Sequence, residues 1–307
     1  MTSLVIDTDT ASDDAVAIML ASRSPGVTIR AITIVAGNVP LDLAARNALI
    51  TLDTLDHPPV PVHLGAAKPL MRPLETAQIV HGDDGMGDIG LADPARVADA
   101  GHAVDVLRHI ADTEPGQHVL VTLGPLTNIA IALFHDPLFL TKFQHVYSMV
   151  GAFDAVGNIH VVGEYNAWAD PEAAAVFFDA PGDKTCIGWD AVRRYAVFEP
   201  DEQASLSDLG PLGTFANSIN VKVTAFELEV AGLPGYTLPD PLAMAVAIDP
   251  SLATRAEPHH VTVSTEVLSR GGTFVDHRAA SLEPNAVIAW DVDESAFKAM
   301  LRAALST

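Results

Sequence analysis

Short apolar runs alternate with stretches of helical spacing through the first half of the chain. Ser3 to Ile6 is a compact apolar run, and the alanine-rich stretch from Asp13 to Ser22 carries its apolar residues at helical intervals. Val27 to Val35 reads as a second strand, Leu41 to Leu55 as a second helix, and Val60 to Leu64, set between prolines, as a third strand. His118 to Thr122 and Val146 to Val150 have the continuous hydrophobicity of buried strands, with a helix from Leu126 to Phe134 between them. Strands that are apolar on both faces leave no side for water, so they belong to a mostly parallel sheet whose connecting helices cover it above and below. The pattern therefore predicts an open α/β sheet with helices on both faces. No internal repeat, low-complexity tract or linker breaks it, and residues 1–307 read as one domain.

Two segments follow neither period. Pro69 to Ala92 contains H-G-D-D-G-M-G-D, and Glu229 to Asp240 reads E-V-A-G-L-P-G-Y-T-L-P-D. Long irregular segments in a compact α/β protein are expected to cover a functional site. Composition then narrows the partners. Asp and Glu total 39 against 17 Lys and Arg, a formal net charge of -22. Such a surface repels phosphate backbones, which excludes nucleic-acid polymers and anionic membranes as partners but not a neutral small molecule or a cation. Cys186 is the one cysteine, so no intramolecular disulfide forms, and it reads as a small buried hydrophobe. The longest uncharged run, Val119 to Phe134, contains Gly124, Pro125, Thr127 and Asn128, which suits a strand, turn and helix better than a membrane span. The N-terminus shows no basic region followed by an apolar one, and the expected address is cytoplasmic.

The chemistry concentrates at the first strand end. Asp7, Asp9, Asp13 and Asp14 fall within eight residues, between two apolar runs. A helix N-terminus favours negative charge through its free N–H groups and dipole, which accounts for one or two acids but not four. A hard divalent cation such as Ca²⁺ accounts for the rest, because it takes six to eight oxygens and needs several carboxylates close together. In an open α/β sheet, ligands sit outside the carboxyl ends of the strands, so further acceptors are expected there. The carbonyls of T-L-G-P-L-T-N (Thr122 to Asn128) and Asp240 in L-P-D-P-L-A are candidates, and G-N-I-H-V-V-G-E-Y-N offers Asn158, Glu164 and Asn166. Closely placed carboxylates and amides suit the vicinal hydroxyls of a sugar. Among the histidines, His160, His259, His260 and His277 lack paired ligand spacing and read as ordinary side chains.

At these residues the chain resembles the nucleoside hydrolases of the inosine-uridine-preferring type. D-x-D-x-x-x-D-D-A at the N-terminus is followed in the family's order by five further patterns. They are V-A-G-N (Val35 to Asn38), G-P-L-T-N-I-A (Gly124 to Ala130), M-V-G-A (Met149 to Ala152), G-E-Y-N with D-P-E-A (Gly163 to Ala173) and D-P-L-A (Asp240 to Ala243). The resemblance implies a single-domain Rossmann-like sheet, a small-molecule ribonucleoside substrate and a homodimer or homotetramer. It implies a Ca²⁺ held by Asp9, Asp14, the main-chain carbonyl of Leu123 and Asp240, with Asp7 behind them and Asp9 as the base that activates water. Asp13, Asn38, Asn158, Glu164 and Asn166 would hold the ribose hydroxyls, with Met149 under the ring. Cleavage of an N-glycosidic bond builds positive charge on the ribose, which an acidic pocket stabilises.

One position departs from that pattern. The family's histidine before the last metal aspartate, which protonates the leaving base, is Pro239 here. His81, Glu227 and Tyr236 are candidates to replace it, and Trp168 is a candidate stacking face for the base. Two alternatives stand beside hydrolysis. D-T-D-T also matches the Asp-x-Asp-x-Thr/Val motif of aspartyl-nucleophile phosphatases, and a Ca²⁺-dependent ribose or nucleoside sensor without catalysis would keep the same cluster.

Overall fold

The computed structural model describes residues 1–278 and 282–306. Its main sheet has eight strands. Six parallel ones are β1 (Thr2–Thr8), β2 (Val27–Ile34), β3 (Val62–Leu64), β4 (Val119–Thr122), β5 (His145–Met149) and β6 (Lys184–Ile187). The strand Ala286–Val292 pairs parallel with β6, and Ala253–His259 closes the edge antiparallel to it. The spatial order is β3-β2-β1-β4-β5-β6, then Ala286–Val292 and Ala253–His259. The chain thus runs outward from β1 to β3, returns to the centre and runs outward the other way. That reversal puts the switch point, where a crevice opens between diverging connections, at the carboxyl ends of β1 and β4.

Every strand and helix read from the pattern is present, with ends shifted by one or two residues. Alternation along β1 fixes the two layers: Leu4 and Ile6 face one core, and Val5 faces the other. On the first face lie helix α1 (Ser12–Arg23) and the helices Pro239–Ile248 and Glu294–Leu305; on the second lie Ala103–Thr113, Thr127–His135 and Pro171–Asp179. Ser12 to Ala21 of α1 are all buried, which explains why this helix is apolar all round. Cys186 is buried in the second core, where burial pushes its thiol up to about 12. No described helix is long and apolar enough to cross a membrane.

The irregular segments hold short elements that periodicity could not reveal. Pro69 to Ala92 contains one helical turn, Gln78–His81. Glu229 to Asp240 begins inside the wide turn Glu227–Ala231, forms the two-residue strand Tyr236–Thr237, and ends in the first turn of Pro239–Ile248. His259 ends the edge strand, His260 directly precedes the strand Val261–Val263, and the His259 ring meets that of His277 at 5.4 Å.

Candidate active site

β1 carries its last residues, Asp7 and Thr8, into the switch point fully buried. Asp7 Oδ1 accepts from Thr33 Oγ1 of β2 at 2.5 Å and from Asn128 Nδ2 at 2.9 Å. Asn128 also donates to the carbonyl of Ile34 and accepts from Ala66 N–H, so one amide ties three connections behind the site. Asp7 therefore braces the strand ends and faces away from the cavity.

Asp9 follows where the chain leaves the sheet. Its Oδ2 accepts from the Asn38 N–H at 2.5 Å, and its Oδ1 has no partner. Two glycines make room for this carboxylate: a Cβ on Gly37 would lie 2.1 Å from Oδ2, and one on Gly124 would lie 2.7 Å from Oδ1. The glycines of V-A-G-N and G-P-L-T-N thus leave space that any side chain would fill.

Asp13 and Asp14 occupy the first turn of α1. Asp14 reaches back to the Ala11 N–H at 2.9 Å and accepts from Thr8 Oγ1 at 2.5 Å, half of a capping box. Asp240 arrives from the far end of the chain. Pro239 holds the first position of its helix, where the missing N–H is no loss, and places Asp240 at the second. One carboxylate oxygen each from Asp13, Asp14 and Asp240 lie within 4.8 Å of one another. This grouping differs from the set implied by resemblance in containing Asp13, while Asp9 stands beside it with Oδ2 turned to Asn38.

The cluster is electrostatically costly. Burial raises the Asp7 and Asp14 carboxyls to about 7 and that of Asp13 to about 6. Burial also raises Asp9 and Asp240 well above the carboxylate range, with neighbouring acids adding to it. No lysine or arginine pairs with these acids among the described residues. The nearest ring nitrogen is His81 Nδ1, 3.8 Å from Asp13 and 3.0 Å from Ser12 Oγ, and burial lowers that histidine to about 4. At neutral pH it is an uncharged ring and offsets nothing.

A cavity of about 440 Å³ opens over Asp13, His81 and Asp240, while Asp9 and Asp14 lie fully buried behind its wall. Asp13, Asn38, Leu123, Met149, Asn158, Glu164, Asn166 and Asp240 line it, so the structure brings the ribose candidates to one place. Glu164 caps the short helix Tyr165–Ala169, its oxygens taking the N–H groups of Gly151, Asn166 and Ala167. Burial nevertheless raises its carboxyl to about 7. Asn166 Nδ2 donates to the carbonyls of Leu123 at 2.7 Å and Met149 at 3.0 Å, which locks the ends of β4 and β5 together. Asn158 sits on an exposed loop at the rim.

The base-contact candidates divide. His81 and Glu227 line the cavity, as does Pro239. Trp168 and Tyr236 do not. One face of the Trp168 ring is covered by the Arg270 guanidinium, 3.9 Å from its centroid. Tyr236 is fully buried against Phe198, and desolvation pushes its hydroxyl far up. Sequence reasoning missed Tyr165, Trp189, Arg193 and Thr237 in the cavity wall. Tyr165 lies inside G-E-Y-N and Thr237 inside the irregular segment Glu229 to Asp240, so both were within reach of the sequence; Trp189 and Arg193 belong to a segment without a readable signal.

Comparison with known proteins fits this geometry. A family model described as inosine-uridine preferring nucleoside hydrolase matches residues 4–299. Uridine nucleosidase 1 of Arabidopsis thaliana is 32% identical over 89% of this chain and 81% of that protein. Pyrimidine-specific ribonucleoside hydrolase RihA of Salmonella schwarzengrund is 33% identical over 97% of this chain and 96% of that protein. The solved purine-preferring ribonucleoside hydrolase from Gardnerella vaginalis superposes with a TM-score of 0.91 at 32% identity, covering 99% of this chain and 98% of that one. A match over the whole sheet leaves no place for the phosphatase reading of D-T-D-T. The chain belongs to the inosine-uridine preferring nucleoside hydrolase family and is an enzyme that hydrolyses the N-glycosidic bond of ribonucleosides.

Proposed function

We propose that this hydrolysis depends on Ca²⁺ held by Asp9, Asp14, Asp240 and the carbonyl of Leu123, with Asp13 at the edge of the same cluster. The observation that carries the reading is the set of buried carboxylates at the switch point with no cation paired to them. Asp9 Oδ1 and Asp13 Oδ1 have no hydrogen-bond partner, and an orphaned buried oxygen is costly unless something binds it. An all-oxygen donor set of this charge suits a hard divalent ion. When bound, the ion supplies Lewis acidity that orients water and the ribose diol and makes water easier to deprotonate.

The chain's own residues do the rest. Asp9, fixed by Asn38 N–H, takes a proton from the water that attacks the anomeric carbon. Asp13, Asn38, Asn158, Glu164 and Asn166 bind ribose hydroxyls, and Met149 supports the underside of the ring. The surrounding acids stabilise the oxocarbenium-like charge as the bond to the base breaks. A cytoplasmic address and a homodimeric or homotetrameric assembly belong to the same proposal, the second tested by mass in solution.

The test is release of free ribose and base from inosine and uridine by chelated protein, followed by titration with Ca²⁺. Activity should return with the metal, and Asp9→Ala and Asp14→Ala should each abolish it. Full activity of a folded, metal-free protein would end the reading. Nucleoside binding without base release would favour the non-catalytic sensor instead.

A further inference from the structure

Asp13, Leu123, Met149 and Glu164 come from or follow the ends of β1, β4 and β5, and the same cavity wall carries Val223, Phe226, Glu227, Leu233, Thr237 and Pro239 from the segment between Val221 and Pro239. A nucleoside seated by its sugar on the first group can turn its base toward the second. The resemblance puts the family's proton donor at position 239, where Pro239 has no proton to give. General acid catalysis is typically worth about 10²–10⁴-fold, so a replacement is worth locating.

Asp13 and Asp240 belong to the proposed metal cluster, and the other titratable groups in the cavity wall can be taken one by one. His81 is neutral, and its Nδ1 is engaged by Ser12 Oγ at 3.0 Å. Arg193 pairs with Asp154 at 2.6 Å and holds its protons at any working pH. Tyr165 donates its hydroxyl to the Glu75 carbonyl at 2.8 Å. Glu164 is enclosed by three backbone N–H groups on the ribose side. Glu227 remains. It opens the wide turn Glu227–Ala231, is 6% exposed, and is clamped by one neighbouring residue. Thr237 Oγ1 lies 2.5 Å from its Oε1, and the Thr237 N–H donates to its Oε2. Thr237 is two residues before Pro239 and lines the same wall, so the clamp fixes the carboxyl beside the vacated donor position.

We propose that Glu227, positioned by Thr237, is the acid that protonates the departing base. This rests on the nucleoside hydrolase reading above. The bond from C1′ to the base nitrogen breaks with its electron pair going to the base, and the bond from water oxygen to C1′ forms. Asp9 takes one proton from that water, Glu227 gives one to a ring nitrogen or carbonyl oxygen of the base, and solvent reprotonates Glu227 once the base has left. The substrate class is therefore ribonucleosides whose base turns such an acceptor toward the Glu227 wall. Burial, partly opposed by the two Thr237 contacts, raises the Glu227 carboxyl to about 7, so a large fraction of it carries a proton near neutral pH.

The experiment compares inosine and uridine with p-nitrophenyl riboside, whose leaving group departs without a proton, in Ca²⁺-loaded wild type and Glu227→Gln. Glu227→Gln should lower kcat/KM for the nucleosides by about 10²–10⁴-fold and leave the nitrophenyl substrate within about threefold. In wild type, kcat for nucleosides should fall on the basic side of about pH 7, a limb the nitrophenyl substrate should lack. Nucleoside turnover by Glu227→Gln close to wild type overturns the assignment, and so does an equal loss on both substrates, which would make Glu227 structural. Should Glu227→Gln fail to fold, the wild-type profiles decide: identical basic limbs for both substrates overturn it. Wild type that cleaves neither substrate would instead refute the underlying hydrolase reading.

Discussion

Gly37→Ala tests how tightly the fold seats Asp9, the carboxylate proposed as the base. Gly37 is absent from the glycines with positive φ, so alanine meets no conformational penalty there. It would even gain about 0.4–1 kcal/mol through a less flexible unfolded chain. Space is the obstacle. The new Cβ would lie 2.1 Å from Asp9 Oδ2, 2.8 Å from Asp9 Cγ and 2.7 Å from Pro125 Cδ. Comfortable non-bonded contact needs about 3.5–4.0 Å, so the carboxylate or the loop must move by more than about 1 Å. Asp9 is fully buried, and Gly124 closes its other side, where a Cβ would approach Oδ1 to 2.7 Å. Retreat breaks the bond from Asn38 N–H. Overpacking costs about 1–3 kcal/mol, and a hydrogen bond to a charged group about 1.5–3. Even after the gain from the unfolded state, the variant should be less stable by about 2–4 kcal/mol, a fall of several degrees in Tm.

The rate should suffer more than the stability. A displacement of about 1 Å in a reacting group costs on the order of 10²-fold. In Ca²⁺-loaded protein, p-nitrophenyl riboside isolates the attack of water from the fate of the base. Its kcat should fall by about that factor with a smaller change in KM, because the hydroxyl contacts stay in place. Wild-type Tm together with wild-type kcat would refute the seating of Asp9 between the two glycines. Lowered Tm with unchanged kcat would show that the position of Asp9 does not limit the rate, and the base would have to be sought elsewhere.

Two further outcomes follow from the same geometry. Removing the 2′-hydroxyl leaves buried polar groups of the ribose site unpaired, so 2′-deoxynucleosides should be turned over about 10⁴-fold more slowly; equal kcat/KM for both sugars would show the hydroxyl contacts misassigned. Glu227 has a folded pKa raised from 4.5 to about 7, so its contribution to stability is present at low pH and lost as pH rises from about 4.5 to 7, on the order of 3 kcal/mol at most. Glu227→Gln does not titrate and should make the stability profile in urea less steep over that range, Asp7, Asp13, Asp14 and Glu164 still contributing to it, whereas an unchanged slope would show that Glu227 adds nothing there.

The corner between β1 and α1 was legible because its pattern changes abruptly, from apolar alternation to clustered acids and back to helical spacing. The sheet's far half was not. β6 begins with a lysine, which reads as a solvent-facing residue. Lys184 is buried because its ammonium caps the end of Pro171–Asp179, donating to the carbonyls of Phe177, Phe178 and Ala180. Losing that strand from the reading also lost Trp189 and Arg193, which follow it into the cavity wall. The edge strand Ala253–His259 is mostly exposed and has no apolar run, since only one of its sides is paired. Trp168 shows a different limit: an indole beside G-E-Y-N reads as a ligand face, and only the fold shows that Arg270, distant in sequence, stacks on one side of it. Local pattern carries the first layer of a site, and side chains recruited from far along the chain complete or occlude it.

Pro239 shows how the two halves of the site constrain each other. Asp240 must hold its carboxylate against Asp13 and Asp14, all buried and mutually repelling, so the backbone that delivers it has to be rigid. Proline at the first position of Pro239–Ile248 gives that rigidity, because its φ is already helical and its missing N–H would have had no partner. The second position lies near the positive end of the helix dipole, which offsets part of the cost of the charge. A histidine at 239 would add a proton donor but release the backbone at the point where Asp240 is aimed. Those duties fall to different residues: Pro239 fixes the acid that belongs to the cluster, and the residue two before it, Thr237, clamps Glu227, the carboxyl proposed to protonate the base. Substitution at 239 should therefore act first on the metal cluster and only through it on the leaving group, whereas substitution at 227 should act on the leaving group alone.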